Sequence, residues 1–314
     1  MPRFDVTIAG ELNLDLILYG LPDQLLPERE LLADRMMLTL GSSSAIVAHN
    51  LAGLGSSVGF QSRIGDDPLG TIALERLQQG GVDVSQVRRV AGDVTTGLTV
   101  ILHHADWRNI LTYLGTIAEL RWDDLDFDYL ADSRHFHFSS FYLQRGLTPR
   151  VGELFRTLKA KGLTISLDTN DDPDDRWEGG LNDVLQYVDV FLPNEREACK
   201  AAGTEDLEEA IKRLAQQVPL LVVKLGRKGA LAQRGSKRFM SSPQTVTAVD
   251  PIGAGDSFDA GFLHEFVRGA DVPICLASGN LAGALSTTRP GGTEAFRDQT
   301  HRERFFAERK AERK

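Results

Sequence analysis

The residues best equipped for chemistry lie in one run, Val249-Asp250-Pro251-Ile252-Gly253-Ala254-Gly255-Asp256, followed by Ser257-Phe258-Asp259-Ala260-Gly261-Phe262-Leu263. Ala260, Phe262, Leu263 and Phe266 recur at helical spacing, so Gly253-Ala254-Gly255 falls where a helix begins. Backbone N–H groups at such a start have no intrahelical acceptor, and the helix dipole adds positive potential. Bare glycines let the oxygens of an anion approach the backbone. Asp256 is out of keeping with an anion site, because its carboxylate repels the anion. It becomes useful if it takes a proton from a nucleophile attacking a phosphoryl group. A tight strand-to-helix turn with an ordinary N-terminal acid is the plain alternative.

The rest of the chain must supply elements that position this run. Phe4–Ala9 and residues 57–65, 134–140, 163–168, 188–193 and 220–226 read as strands, several of them continuous apolar runs suited to a sheet covered on both faces. Residues 41–55, 65–77, 151–160 and 275–287 read as helices, 231–247 as short strands, and the tail from His301 as a surface helix. This alternation predicts one α/β domain over 1–314, a three-layer α/β/α sandwich with a mostly parallel central sheet. Segments at about 11–40 and 94–116, the second a β hairpin, form a smaller β lid. Ligands of an open α/β sheet bind beyond the carboxyl ends of its strands. Asn13 and Asp15, just past the first strand, therefore offer an amide and a carboxylate to a ligand, with an Asx-closed turn as the alternative.

Composition excludes several function classes. A net charge of −9 argues against a nucleic-acid partner, while 42% hydrophobic and 25% charged residues are ordinary for a globular chain. Cys199 and Cys275 are expected to be buried free thiols, not a disulfide or a metal site. No basic-then-apolar leader precedes the first strand and no apolar run approaches a membrane span, so the expected location is cytoplasmic. Gly53 and Gly55 follow a helix instead of a strand and do not form a dinucleotide loop. His135 and His137 share one side of a strand and read as core residues. The acidic 171–175 stretch reads as a solvated loop, as do His103, His104, Trp107 and Arg108 near a turn. Arg108 would favour an acidic substrate only by reaching the site.

Asp250-x-x-Gly253-Ala254-Gly255-Asp256 ahead of an apolar helix resembles the signature of the ribokinase-like (PfkB) carbohydrate kinases. Gly10-x-x-Asn13-x-Asp15 after the first strand and Asn194-x-x-Glu197 at a strand-to-helix junction match in the same order, and the resemblance covers nearly the whole chain. It implies transfer of the γ-phosphoryl group of ATP to a hydroxyl of a sugar or sugar acid, with Gly253, Ala254 and Gly255 as anion hole and Asp256 as base. By the same resemblance Asn13, Asp15, Gly41 and Ser42 hold the acceptor, and Lys224, Gly226, Gly229 and Asn280 lie along the nucleotide. Asn194 and Glu197 hold water-coordinated Mg2+, although the same pair reads equally as a helix cap. Asp250 and Ile252 flank a monovalent cation such as K+, and lid strands join two copies into a homodimer.

One segment departs from the family. Its Gly-Gly-x-x-x-Asn is here Gly41-Ser42-x-x-x-Ile46, and isoleucine cannot bond a sugar hydroxyl. Two alternatives therefore stay open. One is a nucleoside kinase with Phe141, Tyr142 and Ile46 as an apolar wall; the other is a nucleotide-binding regulator without phosphotransfer.

Overall fold

The computed structural model describes residues 2–104 and 107–312. In chain order its strands are β1 (Phe4–Ala9), β2 (Leu14–Tyr19), β3 (Arg35–Leu40), β4 (Val58–Gly65), β5 (Asp83–Val90), β6 (Leu98–His103), β7 (Arg108–Tyr113), β8 (Ser133–Ser139), β9 (Thr164–Asp168), β10 (Val190–Phe191), β11 (Leu220–Lys224), β12 (Ala230–Arg234) and β13 (Lys237–Ser241). The helices are α1 (Ser43–Gly53), α2 (Pro68–Gln79), α3 (Phe127–Ala131), α4 (Val151–Ala160), α5 (Leu181–Leu185), α6 (Glu195–Ala202), α7 (Leu207–Leu214), α8 (Ala254–Phe266), α9 (Val272–Ser286), α10 (Glu294–Arg297) and α11 (Gln299–Glu312).

Nine strands form one sheet in the order β13-β12-β11-β10-β9-β8-β1-β4-β5. From β11 to β5 all neighbours run parallel, and β12 and β13 close one edge antiparallel. Alternation along the strands splits the core in two. On one face Phe136, Phe138, Ile165 and Leu167 pack against α3 to α7. On the other, Val6, Ile8, Phe60 and Val222 pack against α1, α2, α8 and α9. His135 and His137 point to the second face, where the His135 ring lies edge-on to Phe266 at 5.6 Å. The three-layer expectation holds, and so does the small sheet, whose order is β3-β2-β6-β7. Its strands fall within the two segments expected to form it.

Departures from the sequence reading have local causes. Strand β5 is an edge strand without an apolar run, so no pattern marks it. Beyond Ser241 the expected short strands do not continue to residue 247. Helix α9 begins at Val272, ahead of the expected 275, because Pro273 fits the first turn of a helix. Cys275 is buried, but Cys199 is only partly so, and both are free. The tip of the β6–β7 hairpin, 105–106, lies outside the described residues.

The larger half of the core centres on Phe155, fully buried and edge-on to Phe136 at 6.2 Å and Phe138 at 5.7 Å. Truncation there leaves a cavity bounded by rigid rings. Phe155→Ala is expected to cost about 3–5 kcal/mol, seen as a lower urea midpoint with an unchanged m-value.

Candidate active site

The turn before α8 is shaped by glycine in the way the sequence requires. Gly253 is left-handed (φ 70°) and caps α8, and a Cβ on it would lie 2.5 Å from Gly292 Cα. The first intrahelical bond of α8 is Ser257 N–H to Gly253 O, so the amides of Gly255 and Asp256 lie ahead of it at the positive end of the dipole. Ala254 donates its own N–H to Pro251 O, so this amide is not free for an anion.

Lys224 ends β11 beside this turn, its Nζ 3.6 Å from where a Gly255 Cβ would stand. The ammonium donates to Asp168 Oδ2 at 2.6 Å and to Asp259 at 3.2 Å. Asp168 ends β9 and Asp259 lies one turn along α8 from Asp256. Burial alone would raise Asp168, yet Lys224 and a hydrogen bond from Asp259 hold it below the usual carboxylate range. Asp259, buried beside that charge, is raised well above the range and is the protonated partner. Lys224 itself is raised by these two acids against the effect of its burial.

Asp256 is buried, and burial together with the negative Asp168 pushes it up to about 6, against the pull of Lys224 and a hydrogen bond from Ser43. Such a value suits a general base near neutral pH. Asp15, on lid strand β2, is pushed up to about 7 by burial, by Asp256 and by Asp250, so the lid carboxylate and Asp256 share one field. Gly41 fits against it only because it lacks a Cβ, which would meet Asp15 Oδ1 at 2.1 Å and Asn13 Nδ2 at 2.9 Å. Asn13 itself is buried and donates to Leu14 O. Ser42 keeps a positive φ of 66° where the family has a glycine. Strain of about 1–3 kcal/mol is normal for such a backbone. It is held by the Ser42 hydroxyl donating to Glu11 O and accepting from Ala45 N–H.

Asn194 and Glu197 form a full capping box at the start of α6, and Asn194 bridges Lys224 through the backbone. Glu197 is pushed up to about 7 by burial and Asp168, partly offset by Lys224. Among the described residues no three metal-ligating side chains form a cage. An acid raised in this way, without a cage around it, fits a magnesium ion that keeps its waters and leans on phosphates. Gly229 (φ 92°) has no room for a Cβ, which would meet Ser241 O at 2.1 Å. Gly226 opens the same turn, and Asn280 donates its amide hydrogens to the 241–242 segment. The expected nucleotide residues are therefore together, with Asn280 holding the wall that Gly229 packs on.

Asp250 is buried and its carboxylate is fully engaged, accepting from Ile252 N–H at 2.9 Å, Tyr19 OH at 2.6 Å and Gly291 N–H at 3.2 Å. The 287–291 loop lies against this segment, Thr287 O accepting from the N–H groups of Val249 and Asp250. Ile46 packs on the glycine turn, where a Cβ on Gly292 would lie 2.6 Å from its Cδ1 and one on Gly253 3.4 Å from it. Arg108 pairs with His103, four residues along β6 from Thr99, which pairs with Asp15. That is about 13 Å along the strand, so Arg108 does not reach the acid cluster.

Several residues escaped the sequence reading. Asp168 and Asp259 looked like a strand end and an ordinary helix acid, although the i,i+3 spacing of Asp256 and Asp259 was a usable signal. Ser43 and Asn50 gave none. Asn50, one turn past Ile46, donates to Ser257 Oγ at 2.9 Å and Gly292 O at 3.0 Å, and Ser257 donates to Gly253 O. Tyr19 ties the lid to the turn.

A family model for "pfkB family carbohydrate kinase" matches residues 4–299. A fructokinase of Klebsiella pneumoniae is 30% identical over 87% of this chain and 92% of its own length. An ATP-dependent ribose-1-phosphate kinase of Halopiger xanaduensis is 31% identical over 81% and 82%. Among solved structures, a protein described as ribokinase II of E. coli, in complex with ATP and Mg2+, superposes with a TM-score of 0.83 at 25% identity, covering 97% of this chain and 99% of its own.

The raised Asp15 implies a stability signature. Between the ordinary carboxylate pKa near 4 and the native value of about 7, the native state binds more protons than the unfolded chain. Stability therefore falls as pH rises through that window. Asp15→Asn is expected to melt above the wild type at pH 8, with the gap closing towards pH 4. Equal gaps at both pH values would show that this carboxylate is not destabilised.

Proposed function

The chain belongs to the pfkB family of carbohydrate kinases, and from that premise we propose that it moves the γ-phosphoryl group of ATP to a hydroxyl of a neutral sugar. The acceptor hydroxyl gives its proton to Asp256, its oxygen bonds to the γ-phosphorus, and the bond to the bridging oxygen breaks to release ADP. The amides of Gly255 and Asp256 and the Lys224 ammonium face the charge on the transferring group. Asp15, supported by Asn13, Gly41 and Ser42, accepts hydrogen bonds from the other acceptor hydroxyls. Lys224, Gly226, Gly229 and Asn280 line the nucleotide, and Asn194 and Glu197 hold the water shell of Mg2+. Bound magnesium supplies positive charge to the phosphates. The backbone of Asp250 and Ile252 flanks a K+ ion.

The observation that carries this reading is a buried carboxylate, raised to about 6, at the start of a glycine-led helix with an ammonium beside it. The preference for a neutral over an acidic sugar rests on Asp15. The charged groups acting on it are carboxylates, and Arg108 is remote. Consumption of ATP suits the cytoplasm, and no described helix is long and apolar enough to cross a membrane. Asp256→Asn is expected to lower kcat by at least about 100-fold with ATP affinity nearly unchanged. The assay is Mg2+-dependent ADP release across neutral sugars, sugar acids and nucleosides, and unchanged turnover would sink the assignment of the base. Preference for a nucleoside or a sugar acid would move the acceptor class.

Ile110, Leu111 and Tyr113 on lid strand β7 and Met36 on β3 are exposed. A second copy packed on this small sheet would cover them. Ile110→Lys should then shift a dimer to monomer by analytical ultracentrifugation; a monomeric wild type would exclude the dimer.

A further inference from the structure

Six non-glycine residues among those described have a positive φ, and three of them converge on one carboxylate. These three are Ser42 (φ 66°), Ser140 (53°) and Asn170 (52°). Glu28 and Asp175 stand on exposed loops and Trp177 in the acidic loop, whereas Ser42 caps α1 and Ser140 and Asn170 stand just past β8 and β9. A side chain with a Cβ resists this backbone, which persists only where the surroundings hold it. In all three cases the holding contact leads to Glu11, just past β1. The Ser42 hydroxyl donates to Glu11 O, and the Ser140 hydroxyl donates to Glu11 Oε1 at 2.8 Å. Asn170 Nδ2 donates to Ser140 Oγ at 3.1 Å. The start of α1 is held by the same side chain, Ser44 N–H donating to Oε1 at 3.1 Å and Ser44 Oγ to Oε2 at 2.7 Å. Helix α1 comes this close because Gly10 lacks a Cβ, which would lie 2.2 Å from Ser44 Oγ.

The place of these residues gives the strain a use. Strands β9, β8 and β1 are neighbours in the large sheet, and ligands of such a sheet bind beyond the carboxyl ends of its strands. Asn170, Ser140 and Glu11 follow those three ends in turn, and the start of α1 stands beside them. Asp256 feels the charge of Glu11, so this floor lies next to the acid cluster. Glu11 and Ser140 are buried, while Asn170 is half-buried. With three donors already on its carboxylate, Glu11 holds protein and leaves ligand contacts to its neighbours.

We propose that Glu11 is a positioning residue for the acceptor: it keeps Ser42, Ser140 and Asn170 left-handed and so fixes the floor on which the acceptor lies. The effect on the acceptor rests on the sugar-kinase reading above; the support of the strained backbone does not. Without the Glu11 carboxylate, Ser140 is free to relax towards negative φ and Asn170 loses its anchored partner. The residues given to the nucleotide stand on β11, the turn after it and α9, away from this support. Geometry matters here more than charge. Ser44 N–H and Ser140 Oγ both bond Oε1, so the amide oxygen of a glutamine keeps them, and its NH2 group donates to Ser44 Oγ.

The test is steady-state kinetics with the best acceptor of the sugar, sugar-acid and nucleoside panel. Glu11→Ala is expected to raise the acceptor KM about 10-fold or more, with the ATP KM within about 2-fold of the wild type. Glu11→Gln should bring most of that loss back. Ser140→Ala should resemble Glu11→Ala, whereas Ser140→Gly, which takes the same φ without support, should raise the acceptor KM far less. An equal rise in both KM values, or a glutamine as poor as alanine, overturns the role. Should Glu11→Ala fail to fold, the two Ser140 variants decide. Urea midpoints read the support by itself. Glu11→Ala and Ser140→Ala should each lower the midpoint, and the double variant should fall little below the worse single one, since both break the same contact. Losses that add overturn the support. If the wild type phosphorylates nothing in the panel, the proposed function fails while the urea cycle still decides whether Glu11 holds the strained backbone.

Discussion

The site depends on one buried ammonium. Lys224 sits among Asp168, Asp259, Asp256 and Glu197, which reach it from β9, α8 and the start of α6. At an effective dielectric near 20, a charge pair about 4 Å apart is worth about 4 kcal/mol, enough to decide which of several acids ionises. Asp168, closest to the ammonium, keeps its charge, and Asp259 takes the proton. The remaining negative field, together with burial, lifts Asp256 into the range where a carboxylate can accept a proton near neutrality. Removing Lys224 would leave these acids without compensation, so the same contact serves folding and chemistry.

A second constraint is steric. The turn before α8, the 291–292 loop and α1 meet at distances that exclude a Cβ at Gly253 and Gly292. Ile46 fills the space behind, and Asn50 spans the gap with two donated bonds. Ile46, which stands where the family pattern has an Asn, thus packs the turn.

The small sheet is joined to the rest of the molecule at the turn before α8. Tyr19 donates to Asp250, and Ile17, Tyr19 and Ile101 pack on Ile252. Asp15 is carried on the same strand as Tyr19, so a movement of the small sheet moves the Asp15 carboxylate relative to Asp256. The mutual influence of Asp15 and Asp256 expresses this closeness as a protonation equilibrium.

What the sequence determined by itself was local. Helical spacing after Gly255 located the start of α8, apolar runs located most strands, and Asn194 with Glu197 declared its own cap, because each depends on residues a few positions apart. Asp256 could be singled out because it stands at a helix start and Asp15 because it follows the first strand, whereas Lys224 came only with the family resemblance. Tertiary structure alone decided which acid shares its proton with which. Asp168 and Lys224 are 56 residues apart and meet across β10, through a strand order that periodicity does not encode. The same holds for Ile46, for Asn50, and for the two histidines that looked like simple core residues. The histidines' partners Thr164 and Ser166 on β9 become their neighbours only when the parallel sheet assembles, since hydrogen bonding and Coulomb forces act over ångströms in space and not along the chain.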